Sequence, residues 1–206
     1  KKQKPDLIVV HGDRLEALAG ASVGLLNNIL VAHIEGGEVS GTVDNSIRHA
    51  ISKMCHIHFV SNKSHKNRLI QLGEMKNKIF IIGSPDIDIM NSKKLPTLNK
   101  VKELYNIDYF NYSILIFHPV TTELKSLPKQ IKIVMKSLSL TNKNYIIIYP
   151  NNDKGSEIIL KEYKRYNKNK HFRIFRSMRF ESFLTLLKNS NFIIGNSSAG
   201  IREAPY

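Results

Sequence analysis

The 206-residue sequence contains one cysteine, Cys55, so no disulfide can form within it, and a reducing, cytoplasmic compartment is expected. It has no apolar run approaching the roughly 18 residues of a membrane span, and no membrane partner is expected. Short-period repeats and low-complexity tracts are also missing, which excludes solenoids and disordered arrays. The chain opens at Lys1 without a methionine and stops at Tyr206, so it reads as a piece of a longer protein truncated at both ends, not active on its own, whose targeting signals cannot be judged.

What is abundant is positive charge, a net +14 at pH 7. Such a balance raises the question of nucleic-acid binding, most strongly over residues 161–179, where Lys161, Lys164, Arg165, Lys168, Lys170, Arg173, Arg176 and Arg179 face the single acid Glu162. The lysines are nevertheless spread along the whole chain, and no reader motif with interleaved stacking aromatics appears, so no nucleic-acid partner is expected. The run reads as a solvated helix and turn, and in part as a cationic background for an anionic ligand.

Apolar segments of strand length alternate with segments of helical spacing. Continuous apolar strands are expected at 7–10, 30–34, 57–60 and 79–82, then at 114–117, 145–149, 172–175 and 192–194. Helices are expected from about 15 to 26, from about 44, at 61–72, 127–138, 157–166 and 180–187. The pattern weakens over 88–112, where Lys93-Lys94-Leu95-Pro96 marks a linker. Two successive α/β sets imply two doubly wound domains, residues 1–92 and 93–206. Ligands of such sheets lie outside the carboxyl ends of the strands, and Asp13, Glu35, Ser84, His118, Asn151, Ser197 and Ser198 all fall at strand ends.

The densest stretch is His33-Ile34-Glu35-Gly36-Gly37-Glu38-Val39-Ser40-Gly41-Thr42-Val43-Asp44-Asn45-Ser46-Ile47-Arg48-His49. Carboxylates fixed at the end of a buried strand, with a cation at helical spacing behind them, suit acid/base chemistry. A polar turn and a capped helix would gather the same residues, with Asp44 as a plain N-cap. Arg48, four residues beyond Asp44, is placed to pair with it. His33, two before Glu35, is expected on the same strand face as a satisfied core histidine.

His11-Gly12-Asp13-Arg14, His33 to Glu38, Asp44-x-Ser46-Ile47-Arg48-His49, His118-Pro119 and Gly195-Asn196-Ser197-Ser198-Ala199-Gly200-x-Arg202-Glu203 together resemble the hydrolysing UDP-N-acetylglucosamine 2-epimerases of the sialic-acid pathway. The resemblance implies two Rossmann-like domains of glycosyltransferase-B type and a reaction in which UDP is eliminated to leave a glucal that is then hydrated to free N-acetylmannosamine. It implies no metal and no cofactor, a UDP-sugar as partner, and a homo-oligomer, dimer or tetramer. Asp13, Glu35 and Asp44 match the catalytic carboxylates. Like charges brought close cannot all ionise, so one should act as acid; proton transfer at C2 falls to Asp13 or Asp44, and water activation or protonation to Glu35. His118 matches a histidine beside the diphosphate, where an imidazolium would offset charge. Ser197 and Ser198 would hold the diphosphate at a helix start, Glu203 the ribose hydroxyls, and Arg14 and Asn151 other nucleotide-side positions, with Arg48 in support. The non-hydrolysing epimerases tend to carry Glu-Ala-Gly at 35–37 and an arginine-rich segment at 118–123; both departures favour hydrolysis. UDP-linked 2,4-diacetamido-6-deoxy sugars are the alternative substrates, and a catalytically dead sugar-nucleotide sensor is a further reading.

Overall fold

The computed structural model describes residues 4–41, 43–92 and 94–205. Two compact units divide the chain, Lys1–Asp88 and Ile89–Tyr206, the division lying ahead of the 92/93 boundary read from the sequence.

In the first unit the elements run β1 (Leu7–His11), α1 (Leu15–Leu26), β2 (Leu30–Ile34), α2 (Val43–Lys53), β3 (Ile57–Val60), α3 (Lys63–Gln71) and β4 (Ile79–Ile81). The four strands are parallel and lie in sequence order, β1-β2-β3-β4. Right-handed crossovers between neighbours taken in order place successive helices on one face of a sheet. That face is the core: Val10 and Val31 pack with Ala17 and Ala21 of α1 and Ile51 of α2, beside the buried Cys55. On the other face Leu7, Val9, Leu30 and Phe80 are exposed. Burial pushes the Cys55 thiol up to about 12, so it packs as a small apolar group.

In the second unit α4 (Pro85–Met90), which straddles the division, and α5 (Leu98–Tyr105) precede β5 (Ser113–Ile116), α6 (Leu127–Ser139), β6 (Tyr145–Ile148), α7 (Ser156–Lys164), β7 (Phe172–Phe175), α8 (Phe180–Lys188), β8 (Ile193–Gly195) and α9 (Ala199–Arg202). The parallel order is β7-β6-β5-β8, so the winding reverses between β5 and β8. A reversal puts helices on both faces. The alternation along β5 shows it: Ile114 and Ile116 join a core with Phe183, Leu184 and Leu186 of α8, whereas Leu115 joins a separate core with Ile131 and Met135 of α6 and Tyr163 of α7. Both faces of β5 are therefore dry, which is why its sequence is a continuous apolar run.

The segment expected to be a linker holds two helices. Thr97 Oγ1 caps α5 by accepting the Lys100 N–H, and Val101 on its inner face is buried. Lys94, Leu95 and Pro96 lie between the two helices.

Candidate functional site

Three structural facts bring the acids of the first unit together. β1 and β2 are paired in register from Leu7↔Leu30 to His11↔Ile34, so Asp13 and Glu35 leave neighbouring strand ends. His33 is fully buried; its Nε2 lies 2.8 Å from the Gly12 carbonyl and its Nδ1 3.0 Å from Ser52 Oγ on α2. A carbonyl only accepts, so Nε2 carries the proton, and burial lowers the imidazole to about 4, leaving it neutral. The expected core histidine thus ties the turn after β1 to α2.

The third is Arg48, 5% exposed, which projects from α2. Its Nη2 donates to Asp13 Oδ2, and its Nη1 donates to the Glu35 carbonyl at 3.0 Å. The same Nη1 lies 3.9 Å from Glu35 Oε2 and 3.8 Å from Glu38 Oε2. One guanidinium fork therefore gathers both strand ends and the loop after β2, and its charge offsets acids that would otherwise repel.

Two expectations for this stretch are corrected. β2 ends at Ile34, and Glu35 takes φ +68, so it does not continue the strand face of His33. Such a left-handed backbone in a residue other than glycine is worth about 1–2 kcal/mol of strain, and the Arg48 hydrogen bond to its carbonyl and the Glu35 N–H bond to the Phe59 carbonyl hold it there. Asp44 is not the N-cap of α2, because that helix starts at Val43 and Asp44 sits within its first turn; the cap position, 42, lies outside the described residues. Arg14, exposed, takes the N-cap position of α1 without a side-chain cap bond.

Side chains with no role assigned from sequence also belong here. His11 Nε2 lies 3.3 Å from Glu35 Oε1. Glu38 closes the acid cluster from the loop side. Gly37, at φ +74, runs so near α3 that an added Cβ would lie 2.4 Å from the His65 carbonyl oxygen, and Arg68 donates to the Gly37 carbonyl. The signal for Glu38 was its position in the dense stretch; the partners of His11 depend on strand pairing that no local spacing reveals.

In the second unit the reversal between β5 and β8 places His118 and the turn Asn196-Ser197-Ser198 at the ends of adjacent strands. Asn196 clamps them: its Oδ1 accepts the His118 N–H at 2.7 Å and its Nδ2 donates to the His118 carbonyl at 2.9 Å. That approach requires Gly195, which has φ +131 and would bring a Cβ to 1.8 Å from the Ile116 carbonyl oxygen. The Asn151 N–H donates to His118 Nδ1 at 3.1 Å. His118 is consequently held with its proton on Nε2, a neutral donor, and the imidazolium expected from sequence is not the form this contact supports.

Ser197 Oγ accepts from the Ala199 N–H at 3.3 Å, and Ser198 makes no side-chain cap bond. α9 is a single turn of four residues, so the helix dipole invoked for these serines is slight. Glu203 follows that turn and borders a cavity of about 40 Å³ with Lys188, Leu184 and Leu187. Asn151 lines a larger cavity, about 630 Å³, with Ser156, Lys161, Lys164 and Arg176. Other members of the basic run are structural: Arg173 donates to the carbonyls of Tyr105 and Asn106, and Arg165 pairs with Glu162. Among the described residues no group of three or more metal-ligating side chains occurs, and no helix is long and apolar enough to cross a membrane.

Comparison with known proteins gives the family. A UDP-N-acetylglucosamine 2-epimerase of Neisseria meningitidis is 57% identical over 202 residues, covering 98% of this chain and 53% of that protein. A hydrolysing UDP-N,N'-diacetylbacillosamine 2-epimerase of Legionella pneumophila is 38% identical over 205 residues, 99% of this chain and 54% of that protein. The chain thus spans about half the length of these relatives. Among solved structures, the Methanocaldococcus jannaschii UDP-GlcNAc 2-epimerase in complex with UDP-GlcNAc and UDP superposes with a TM-score of 0.73 at 26% identity, over 98% of this chain and 58% of that one. The UDP-N-acetylglucosamine 2-epimerase family model matches residues 1–206, and with strand-end acids and a reversed second sheet in place, the chain belongs to that family.

Proposed function

We propose that the full-length protein is a hydrolysing epimerase that converts UDP-N-acetylglucosamine to UDP and free N-acetylmannosamine, supplying sialic-acid-type sugar synthesis in the cytoplasm as a homo-oligomer. The observation that carries the reading is the single buried guanidinium of Arg48 holding Asp13, Glu35 and Glu38 at the carboxyl ends of β1 and β2.

In the first half-reaction a carboxylate takes the C2 proton while the C1–O bond breaks and its electron pair leaves with UDP, giving the glucal. In the second, the oxygen of water adds to C1 and a proton is delivered to the opposite face of C2. Asp13 or Asp44 moves the proton at C2, and Glu35, within reach of His11, handles the water. Developing charge on the departing diphosphate is met by the Nε2–H of His118, whose tautomer Asn151 fixes, and by Ser197 and Ser198. Glu203 and Arg14 complete the nucleotide contacts. The chemistry draws on carboxylates and hydrogen-bond donors alone, with no metal or cofactor assigned a step.

The hydrolysing character is supported by the hydrolysing enzymes among the relatives and by Gly36-Gly37 in the acid loop. A second reading, hydrolysis of a UDP-linked diacetamido-6-deoxy sugar, is favoured by the Legionella relative's named substrate at 38% identity; the 57% relative favours the first. Incubating the full-length protein with each donor decides. UDP and free N-acetylmannosamine should appear in equal amounts from UDP-N-acetylglucosamine, with Asp13→Asn slower by about 10²–10⁴. Formation of UDP-N-acetylmannosamine without UDP release would overturn hydrolysis, and turnover of the diacetamido donor alone would replace the substrate.

A further inference from the structure

Beyond Arg48 the loop after β2 meets a second group of polar side chains at the end of β3. Glu38 Oε1 accepts a hydrogen bond from the Ser61 hydroxyl at 2.9 Å, and Ser61 Oγ lies 2.8 Å from His65 Nδ1. The direction of every proton is fixed from the far end. Asn62 is the N-cap of α3, and its Oδ1 accepts the His65 N–H at 3.0 Å. That leaves its amide nitrogen 3.5 Å from His65 Nε2. An amide nitrogen only donates, so Nε2 accepts and the ring proton sits on Nδ1, directed at Ser61 Oγ. Ser61 then gives its own proton to Glu38.

The result is a one-way chain, Asn62 to His65 to Ser61 to Glu38, ending on a carboxylate oxygen that can only accept. The other oxygen of Glu38 is 3.8 Å from Arg48 Nη1, the nitrogen that donates to the Glu35 carbonyl. We propose that Asn62, His65 and Ser61 form a positioning relay that locks Glu38 against Arg48, and that Glu38 thereby fixes where Glu35 stands for proton transfer. This rests on the assignment of Glu35 to the reaction made above. The groups facing His65 are the carboxylates of Glu38 and Glu35 and the guanidinium groups of Arg68 and Arg48. Burial, with the arginines and against the opposing pull of the Glu38 and Glu35 carboxylates, lowers the imidazole from its ordinary range, which favours the neutral ring that the chain needs. A protonated His65 would set an N–H against the Asn62 amide and break the relay from its outer end.

Two measurements on the full-length protein test the relay. In protein labelled with nitrogen-15 at histidine, the His65 ring should report the neutral Nδ1–H tautomer at pH 7.5; an Nε2–H tautomer overturns the relay whether or not the protein turns over substrate. In UDP-release kinetics, Ser61→Ala should lower kcat about tenfold with KM within about twofold, as small misplacements of reacting groups do, and Ser61→Thr should restore most of it. Ser61→Ala added to Glu38→Gln should produce no further loss. Wild-type kcat in Ser61→Ala, or losses that multiply in the double variant, would overturn the positioning role. A wild-type protein that released no UDP would instead sink the functional assignment, leaving the tautomer to decide the relay.

Discussion

Replacing Arg48 by methionine removes the cation and keeps most of the apolar stem. In the folded protein this takes the cation away from Asp13, whose side chain is 19% exposed, from Glu35, at 7%, and from Glu38. Removing one partner of a buried pair costs about 3–5 kcal/mol because the other charge stays desolvated, and the hydrogen bond to the Glu35 carbonyl, charged and buried, falls within that sum. At about 2–4 °C per kcal/mol for a chain of roughly 150–250 residues, the melting temperature should fall by roughly 6–20 °C. A stranded charge can be removed as well as repaired. Asp13→Asn in the Arg48→Met background should therefore recover part of the loss, although Asp13→Asn alone destabilises. A fall of less than about 2 °C in Arg48→Met, or a double variant less stable than Arg48→Met, would refute the idea that this guanidinium gathers the acids.

Other outcomes follow from single residues. His33 is held at about 4 against an unfolded value near 6.5, so the unfolded chain binds the extra proton between those values. Its contribution is complete above pH 6.5 and declines by about 1.4 kcal/mol per unit as pH falls towards 4; urea midpoints at pH 7 and pH 5 should show it, and His33→Asn should flatten the slope. Gly195→Ala should yield no folded second unit by circular dichroism and proteolysis, because its Cβ would sit 1.8 Å from a backbone oxygen, whereas Gly41→Ala, with nothing within 4 Å, should stay within about 0.5 kcal/mol of the parent. Cys55 should resist a thiol reagent at pH 8 until denaturant is added, since it is buried and its thiol is pushed up to about 12.

The strands were legible because parallel strands covered by helices are written as largely apolar runs, and Leu30–Ile34 and Phe172–Phe175, each holding one polar residue, were read residue for residue. Helices α4 and α5 were missed for an opposite reason. Each is short, the first has no buried residue, and the lysines and proline between them obscure the Thr97 cap and the Leu98, Val101 and Tyr105 spacing that mark the second. Residue types at the site were visible, but their partners were not. Arg48 was expected to work along its own helix towards Asp44, yet its guanidinium reaches two strand ends, a link set by β1–β2 register rather than by local spacing. Glu35 leaving the strand, and the proton on His118, likewise depend on tertiary contacts that no window of sequence contains.

Gly37 carries a consequence for how such a chain can diverge. The gap left by its absent side chain is all that separates the acid loop from the first turns of α3, and Arg68 bolts the two together from the far side. Neither segment can be exchanged alone between lineages: a bulkier residue at 37 must arrive with a displaced helix. In a large set of homologous sequences, positions 36–38 should therefore covary with 61–68 more strongly than either does with its immediate neighbours along the chain.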